Sequence, residues 1–295
     1  MCDQDQLTAM GNAGGGISPS VSRRQFTAIG AFAAFAAACA PNGVQAQGGV
    51  VEETVTFDAP GGTMDAFFVH PAEGRHPAVI VWPDIAGLRD AFKVMGRRLA
   101  SAGYSVLVVN PFYRDLPAPQ FTDFEDFRTQ NGFEKVGPWR ARMDAAGVTE
   151  TARAVVAWLD QQPSVDTARG IGNQGYCMGG PFTVWSAAAV PARVKAGASF
   201  HGGGLVGEEP TAPVNLLDDV ADDARFLFAI AQNDDARAPG DKDALRQAAE
   251  AAEIQAEIEV YAGDHGWTVP DSPVYNEAAA ERAWERLLAL YSSAL

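Results

Sequence analysis

The sequence predicts an α/β fold in which a mostly parallel sheet is covered by helices on both faces. Two observations support this prediction. Short, uninterrupted apolar runs, such as residues 77–82, alternate along the chain with longer segments of helical periodicity, such as residues 90–101. A run that is apolar at every position is typical of a strand buried on both faces, and such strands are typical of parallel sheets. The alternation places strands and helices in separate layers.

The first elements are predicted to form an antiparallel hairpin at one edge of the sheet. Two β-rich segments, residues 51–57 and 64–70, flank the turn sequence Ala59-Pro60-Gly61-Gly62. Two such segments joined by a short turn of this composition are typical of paired antiparallel strands.

The remaining elements follow in alternation. Gly103 ends the first predicted helix and Pro163 ends the second, because glycine favours helix ends and proline cannot continue a helix. Further strands are predicted over residues 77–82, 104–110, 169–176, 194–200, 225–231 and 255–261. Helices are predicted over residues 90–101, 141–161, 241–253 and about 274–292, with another directly after residue 177.

Residues 111–140 differ from the segments around them. They mix prolines, aromatic residues and charges without a clear period. We interpret them as a long loop with short helical pieces, lying over the edge of the sheet where the parallel strands end.

The first 46 residues are predicted to be a signal peptide. Paired arginines, Arg23 and Arg24, precede a short apolar stretch over residues 27–38, a pattern typical of twin-arginine (Tat) export. The stretch is too short to span a bilayer comfortably. Cleavage after Ala46 would leave residues 47–295 as one periplasmic domain. One alternative is a membrane-attached lipoprotein modified at Cys39, and another is an ordinary apolar helix.

Composition argues against several classes of partner. The chain has 22 Lys and Arg against 37 Asp and Glu, a formal net charge of −15. Such an acidic protein is not expected to bind nucleic acids or anionic membranes. Of the three cysteines, only Cys177 lies outside the predicted signal, so no intrachain disulfide is expected. The four histidines are not spaced like metal ligands, so we predict no metal site. We also predict that the protein uses no other cofactor and is a monomer.

Polar residues follow four of the predicted strands. The carboxyl ends of parallel strands meet at one edge of a sheet, where functional groups gather. The four loops are residues 82–87, the segment around Cys177, residues 232–235 and residues 262–266. We therefore expect these loops to form one site.

The segment Gly175-Tyr176-Cys177-Met178-Gly179-Gly180 has the outline of a strand-to-helix turn that presents a nucleophile. Its glycines would relieve crowding around Cys177, and the first amides of the following helix would favour the thiolate. The amide of Met178 could face a developing oxyanion. The alternative is a small buried thiol between glycines, a common role for cysteine.

An acid and a histidine follow Cys177 at later strand ends. The order nucleophile, acid, histidine is that of hydrolases with this kind of turn. His265 is the histidine, and Asp234 or Asp235 is the acid, although adjacent acids also occur simply as solvated turn residues. The residues alone leave the choice between the two aspartates open.

Residues 51–295 resemble the dienelactone hydrolases (carboxymethylenebutenolidases), a family with the α/β-hydrolase fold. The resemblance rests on the segment around Cys177 and on an aspartate turn near residues 234–239. It also rests on "PDIAGL" (83–88), "AGYSVLVVNPFYR" (102–114) and "AGDHGW" (262–267).

The resemblance implies Cys177 as the nucleophile, oriented by His265 and an aspartate, with oxyanion donors at the amides of Ile85 and Met178. The family's aspartate lies four residues before a proline. That spacing favours Asp235 over Asp234, because Pro239 follows it.

The chain also departs from the family's pattern. Asp84 stands where well-studied members have a glutamate that contacts the resting thiol. Arg114 lies one residue out of register with the family's carboxylate-binding arginine, and Trp267 follows where a second arginine is expected. We predict that four residues bind substrate: Asp84, Arg114, His201 and Trp267.

These features predict a hydrolase of small esters or lactones that works through a Cys-His-Asp triad and a thioester intermediate. The alternative is a non-catalytic ligand-binding protein that keeps the cleft of a hydrolase but has lost turnover. The intact set of Cys177, His265 and a neighbouring aspartate favours the enzyme.

Overall fold

The computed structural model describes residues 45–47 and 49–295. The predicted signal peptide lies outside the described residues, except for residues 45 and 46. The strands in the described part are β1 (Gln45–Gln47), β2 (Val50–Ala59), β3 (Gly62–Pro71), β4 (Ala78–Trp82), β5 (Ser105–Val109), β6 (Ile171–Tyr176), β7 (Val194–Phe200), β8 (Arg225–Ala231) and β9 (Gln255–Tyr261).

All nine strands belong to one sheet in the order β1-β2-β3-β5-β4-β6-β7-β8-β9. The pairs from β1 to β5 are antiparallel, and the pairs from β5 to β9 are parallel. The hairpin predicted from the sequence is β2–β3, at the antiparallel end of the sheet. The predicted fold class, a mostly parallel sheet of the α/β-hydrolase type, is confirmed.

The helices lie on both faces of the sheet. They are α1 (Asp90–Ser101), α2 (Phe124–Thr129), α3 (Gly132–Arg140), α4 (Ala145–Leu159), α5 (Phe182–Ala189), α6 (Gln232–Arg237), α7 (Asp241–Ala251) and α8 (Glu277–Ala294). Two 3-10 turns, Cys177–Gly179 and Pro213–Asp219, complete the secondary structure of the described part.

Alternate side chains of the central strands enter two separate cores. In β4, Ile80 and Trp82 pack in the core that includes residues of α4 and α5, whereas Val79 and Val81 pack in the core that includes residues of α1 and α8. All five residues of β4 are buried, as its continuous apolar run predicted. Each large apolar side chain buried in this way contributes about 1.5–3 kcal/mol.

Several helix ends follow from local sequence. Asp123, Asp144 and Asn276 each accept, through a side-chain oxygen, the backbone amide three residues further on, at the start of α2, α4 and α8. Such a cap is worth about 1 kcal/mol. Gly103 follows α1 with a φ of +99°, a conformation that glycine adopts without strain.

The structure differs from the sequence predictions in several places, including the unpredicted strand β1. Residues 232–237 form helix α6 where only a polar loop was expected, and α4 begins at Ala145 rather than at residue 141. Residues 111–140 contain the short helices α2 and α3, as predicted. No helix in the described part of the chain is long and apolar enough to cross a membrane.

Candidate active site

Cys177 lies at a strained turn directly after β6. Its φ of +51° is in the left-handed region, which costs a residue with a side chain about 1–3 kcal/mol. A Cβ on Gly175 would lie 1.9 Å from the carbonyl oxygen of Gly179. One on Gly179 would lie 2.5 Å from the oxygen of Trp82 and 2.8 Å from that of Pro83. The turn therefore requires glycine at both positions, as the sequence predicted.

The two predicted oxyanion donors belong to neighbouring strand ends. Trp82, the last residue of β4, pairs with Gly175 of β6, so the loop that carries Ile85 starts beside the turn that carries Met178. Both residues are buried, as is Cys177. The loop that carries Ile85 and the turn that carries Cys177 and Met178 therefore begin side by side, at the carboxyl ends of β4 and β6.

His265 is held by an aspartate, and the structure corrects which one. The Nδ1 atom of His265 lies 2.6 Å from Oδ2 of Asp234, and its backbone amide donates to Oδ1 of Asn233 at 2.8 Å. Asp235 instead forms an ion pair with Lys242 of α7, with 2.5 Å between Oδ1 and Nζ. The prediction of Asp235 as the histidine's partner was therefore wrong.

The reason is helix α6. In an α-helix, consecutive residues are turned by about 100° from each other, so Asp234 and Asp235 point in different directions. The spacing to Pro239, which favoured Asp235, does not determine in which direction each side chain points. The helix directs Asp234 to His265 and Asp235 to Lys242.

A second histidine packs against the first. The ring centroids of His201 and His265 are 5.0 Å apart, and Nε2 of His201 lies 2.9 Å from Oγ1 of Thr268. His201 has a φ of +41° and is buried, and its Nδ1 makes no hydrogen bond within the described part of the chain. Burial, and then the neighbouring His265, hold the pKa of His201 well below its ordinary value, so the ring is neutral.

Trp267 packs against both His201 and Tyr261. It is fully buried, stacks on Tyr261 with centroids 5.4 Å apart, and meets the edge of His201 at 5.1 Å. Both side chains are buried and pack next to His265, and their predicted contact with substrate stays a prediction. They hold the histidine loop in place.

Asp84 is also part of the scaffold. Its carboxylate accepts two hydrogen bonds from Arg89, at 2.7 and 3.0 Å, and Oδ1 also accepts the amide of Ala86 at 2.9 Å. Both carboxylate oxygens of Asp84 therefore accept hydrogen bonds from Arg89 or from the backbone of the same loop. The predicted substrate-binding role of Asp84 is therefore replaced by a structural one.

Arg114 lies apart from these loops. Its Nε donates to the carbonyl of Pro60, and its terminal nitrogen donates to Gly147 O and Thr151 Oγ1, each at about 3 Å. These bonds tie the β2–β3 hairpin to α4. The other terminal nitrogen, Nη1, is buried without a hydrogen-bond partner in the described part of the chain, and the predicted role of Arg114 in binding a substrate carboxylate stays a prediction.

Among the described residues, no group of three His, Cys, Asp or Glu side chains is arranged to hold an ion.

Comparison with known proteins identifies the family. The family model described as "Dienelactone hydrolase family" matches residues 64–295. The chain belongs to the dienelactone hydrolase family. It is accordingly a hydrolase with the α/β-hydrolase fold, as the resemblance in its sequence implied.

Several relatives of the dienelactone hydrolase family are similar over most of their length. A Synechocystis protein provisionally named carboxymethylenebutenolidase is 29% identical over 229 residues, which cover 76% of this chain and 89% of the relative. A Salmonella typhi protein with the same provisional name is 27% identical over 265 residues, covering 87% and 93%.

Solved structures show the same fold. A crystal structure of a Klebsiella pneumoniae protein provisionally assigned as a dienelactone hydrolase has a TM-score of 0.68 at 24% identity. The match covers 82% of this chain and 98% of that chain. A dienelactone hydrolase-like promiscuous phosphotriesterase from metagenomic libraries has a TM-score of 0.64 at 22% identity, covering 83% and 98%.

Sequence reasoning missed three residues around the dienelactone hydrolase site: Arg89, Thr268 and Asp271. Arg89 did carry a signal, because it directly precedes the helix predicted over residues 90–101, a position that usually holds Ser, Thr, Asp or Asn. A positive charge at a helix N-terminus opposes the helix dipole, which suggests another role for the residue. Thr268 and Asp271 carried no comparable signal.

Proposed function

We propose that this protein hydrolyses small carboxylic esters or lactones through a thioester on Cys177. The observation that carries the proposal is the hydrogen bond between His265 and Asp234, at the strand ends that also present Cys177 on its strained turn. A histidine held by a carboxylate is the usual general base for a neighbouring nucleophile.

The reaction begins with proton transfer. The carboxylate of Asp234 fixes the His265 tautomer with the proton on Nδ1, so Nε2 accepts the thiol proton of Cys177. The sulfur attacks the carbonyl carbon of the ester or lactone, and the carbonyl π electrons move onto oxygen. The amides of Ile85 and Met178 donate hydrogen bonds to that oxyanion, a type of contact worth about 3–4 kcal/mol per donor.

The second half of the reaction releases the products. The C–O bond to the alcohol breaks as the oxyanion collapses, and His265 returns its proton to the leaving oxygen. His265 then takes a proton from water, and the hydroxide attacks the thioester carbon. The C–S bond breaks as the second oxyanion collapses, the acid leaves, and His265 returns its proton to the sulfur of Cys177. Asp234 stabilises the imidazolium that forms in each half.

A burst experiment tests this proposal. Mixing the purified protein with excess p-nitrophenyl acetate should release one equivalent of nitrophenolate rapidly and then continue more slowly, while Cys177→Ala should show neither phase. A protein that binds such esters without releasing nitrophenolate would contradict the proposal. It would support the alternative of a non-catalytic binding protein on a hydrolase scaffold.

We also propose that residues 1–46 direct export by the Tat route, based on Arg23, Arg24 and the apolar stretch that follows. Replacing both arginines with lysine should retain the protein in the cytoplasm. Mass spectrometry of the exported form should find an N-terminus at Gln47. A lipid-modified N-terminal Cys39 would instead support the lipoprotein alternative.

A further inference from the structure

Arg89 is a fully buried cation whose donors are all used. Its Nε donates to Asp271 Oδ2 at 2.7 Å, and one terminal nitrogen donates to Asp84 Oδ1 at 2.7 Å and Gly87 O at 3.2 Å. The other terminal nitrogen donates to Asp84 Oδ2 at 3.0 Å and Asp271 Oδ1 at 2.8 Å. The five N–H groups of the guanidinium therefore meet five acceptors, the full capacity of an arginine.

These acceptors come from separate parts of the chain. Asp84 and the Gly87 carbonyl belong to the loop after β4, whereas Asp271 follows His265 in the loop after β9. Asp271 also accepts the amide of Phe124 at the start of α2, at 3.0 Å. The guanidinium lies over the ring of Phe124, 5.7 Å from its centroid. Arg89 thus joins the loop of Ile85, the loop of His265 and the segment that covers the strand ends.

The charge on Arg89 is permanent. Burial opposes it, but the two carboxylates outweigh burial and raise the pKa of the guanidinium further above its ordinary value. Removing one partner of a buried pair of this kind costs several kcal/mol, because the remaining charge is left uncompensated. The connection among the three segments is therefore not lost through deprotonation of Arg89.

Asp84 links the hydrogen bonds of Arg89 to the orientation of the backbone around Ile85. The same Oδ1 that accepts from Arg89 accepts the amide of Ala86, and the Asp84 carbonyl accepts the amide of Gly87 at 3.0 Å. These two backbone hydrogen bonds, from the amides of Ala86 and Gly87, close a turn of the chain around Ile85. The direction of the Ile85 amide is thereby linked to the position of the Asp84 carboxylate, which Arg89 fixes.

We propose that Arg89 is a positioning residue that holds the amide of Ile85 in the direction required to bind an oxyanion. It acts through Asp84 and touches neither the substrate nor Cys177. The inference rests on the proposed function, since an oxyanion develops only in acyl transfer. It adds Arg89 and Asp271 to the residues on which turnover depends.

The test compares two reactions of the same thiol. Acylation of Cys177 by p-nitrophenyl acetate develops an oxyanion, whereas alkylation by iodoacetamide does not, because it is a displacement at a saturated carbon. In Arg89→Lys, which keeps the charge but loses the planar fork, acylation should slow by tenfold to a hundredfold while alkylation changes by less than threefold. In Asp271→Asn, which removes the charge of the partly exposed partner of Arg89, acylation should slow by threefold to tenfold with the same alkylation rate.

Arg97→Lys is the matched control. Arg97 lies on the same helix α1 and pairs with one carboxylate, that of Glu52 in β2, away from the four loops. It should change both rates by less than twofold. Unchanged acylation in Arg89→Lys, or an equal loss of acylation and alkylation, would overturn the proposal, because either result assigns Arg89 to general stability.

Hydrogen exchange separates this proposal from the proposed function. If the wild-type protein releases no nitrophenolate, the proposed function fails on its own. Backbone exchange in residues 83–89 then still measures whether Arg89 holds the loop: it should accelerate at least tenfold in Arg89→Lys and stay unchanged in Arg97→Lys. Equal exchange in the wild type and Arg89→Lys would overturn the positioning role.

Discussion

Two histidine rings lie 5.0 Å apart in this molecule, and their surroundings differ in one decisive respect. His265 has the carboxylate of Asp234 on its Nδ1, at 2.6 Å. His201 has the hydroxyl of Thr268 on its Nε2, at 2.9 Å. A carboxylate stabilises an imidazolium, whereas a hydroxyl in a buried site does not offset the cost of charging the ring.

Two identical side chains thus have different roles because the fold gives them different hydrogen-bond partners. Both residues follow parallel strands, both are buried, and both stand in glycine-rich segments of the sequence. The pKa of His201 lies well below its ordinary value, so His201 remains neutral when His265 takes a proton. In the proposed reaction only His265 exchanges protons, and His201 packs against it.

The largest effect is expected from His265 itself. Replacing it with alanine should lower kcat for an aryl ester by a hundredfold or more, the usual loss for a missing general base. His201→Asn should lower it by less than tenfold, since His201 acts by packing. Steady-state kinetics with p-nitrophenyl acetate measure both. Comparable losses in the two variants would contradict the division of roles between the histidines.

The acid that distinguishes His265 provides the next test. Asp234→Asn removes the charge that stabilises the imidazolium, and it should lower kcat by about a hundredfold, equivalent to about 2.7 kcal/mol of barrier. Asp235→Asn is the matched control, one residue away and paired with Lys242, and should lower kcat by less than threefold. A larger loss in Asp235→Asn than in Asp234→Asn would reverse the assignment made from the structure.

A smaller effect concerns the pH dependence of stability. The pKa of His201 is lower in the folded protein than its unfolded value of about 6.5, so the unfolded chain binds the proton more readily. The stability that depends on neutral His201 is present above pH 6.5 and is lost as the pH falls, at up to about 1.4 kcal/mol per pH unit. His201→Asn should flatten this dependence.

Urea denaturation between pH 7.5 and pH 5 measures the difference. Asparagine suits the test because it tolerates the left-handed backbone that position 201 requires. Titrations shared by the two proteins cancel in the comparison, although His265 loses its neighbour in the variant. Parallel stability curves for the wild type and His201→Asn would show that His201 is not held neutral.

The smallest effect is expected at Thr268. Thr268→Val leaves Nε2 of His201 buried without its partner, which should lower the free energy of unfolding by about 1–3 kcal/mol. Turnover should change by less than threefold, because His265 keeps Asp234. Thr268→Ser, which retains the hydroxyl, should stay near the wild type in thermal unfolding. A tenfold loss of turnover in Thr268→Val would place Thr268 in the chemistry.

Most of the fold could be predicted because its signals are local. Continuous apolar runs gave the parallel strands, and glycine on either side of Cys177 gave the strained turn. The choice of Asp235 over Asp234 was wrong, because the direction of each side chain depends on whether a six-residue segment winds into a helix. The roles of Arg114 and Trp267 depend on where their side chains point after packing, which no single segment encodes.

The pairing of Trp82 in β4 with Gly175 in β6 has a kinetic consequence. The two strands are distant in sequence and parallel, so they meet only after a large loop has closed, which is a slow event in folding. Until then, nothing holds Cys177 in its left-handed conformation, because the carbonyls of residues 82 and 83 are part of the wall that defines the turn. The folding chain thus acquires its reactive centre late, and a chain that opens between β4 and β6 loses that centre.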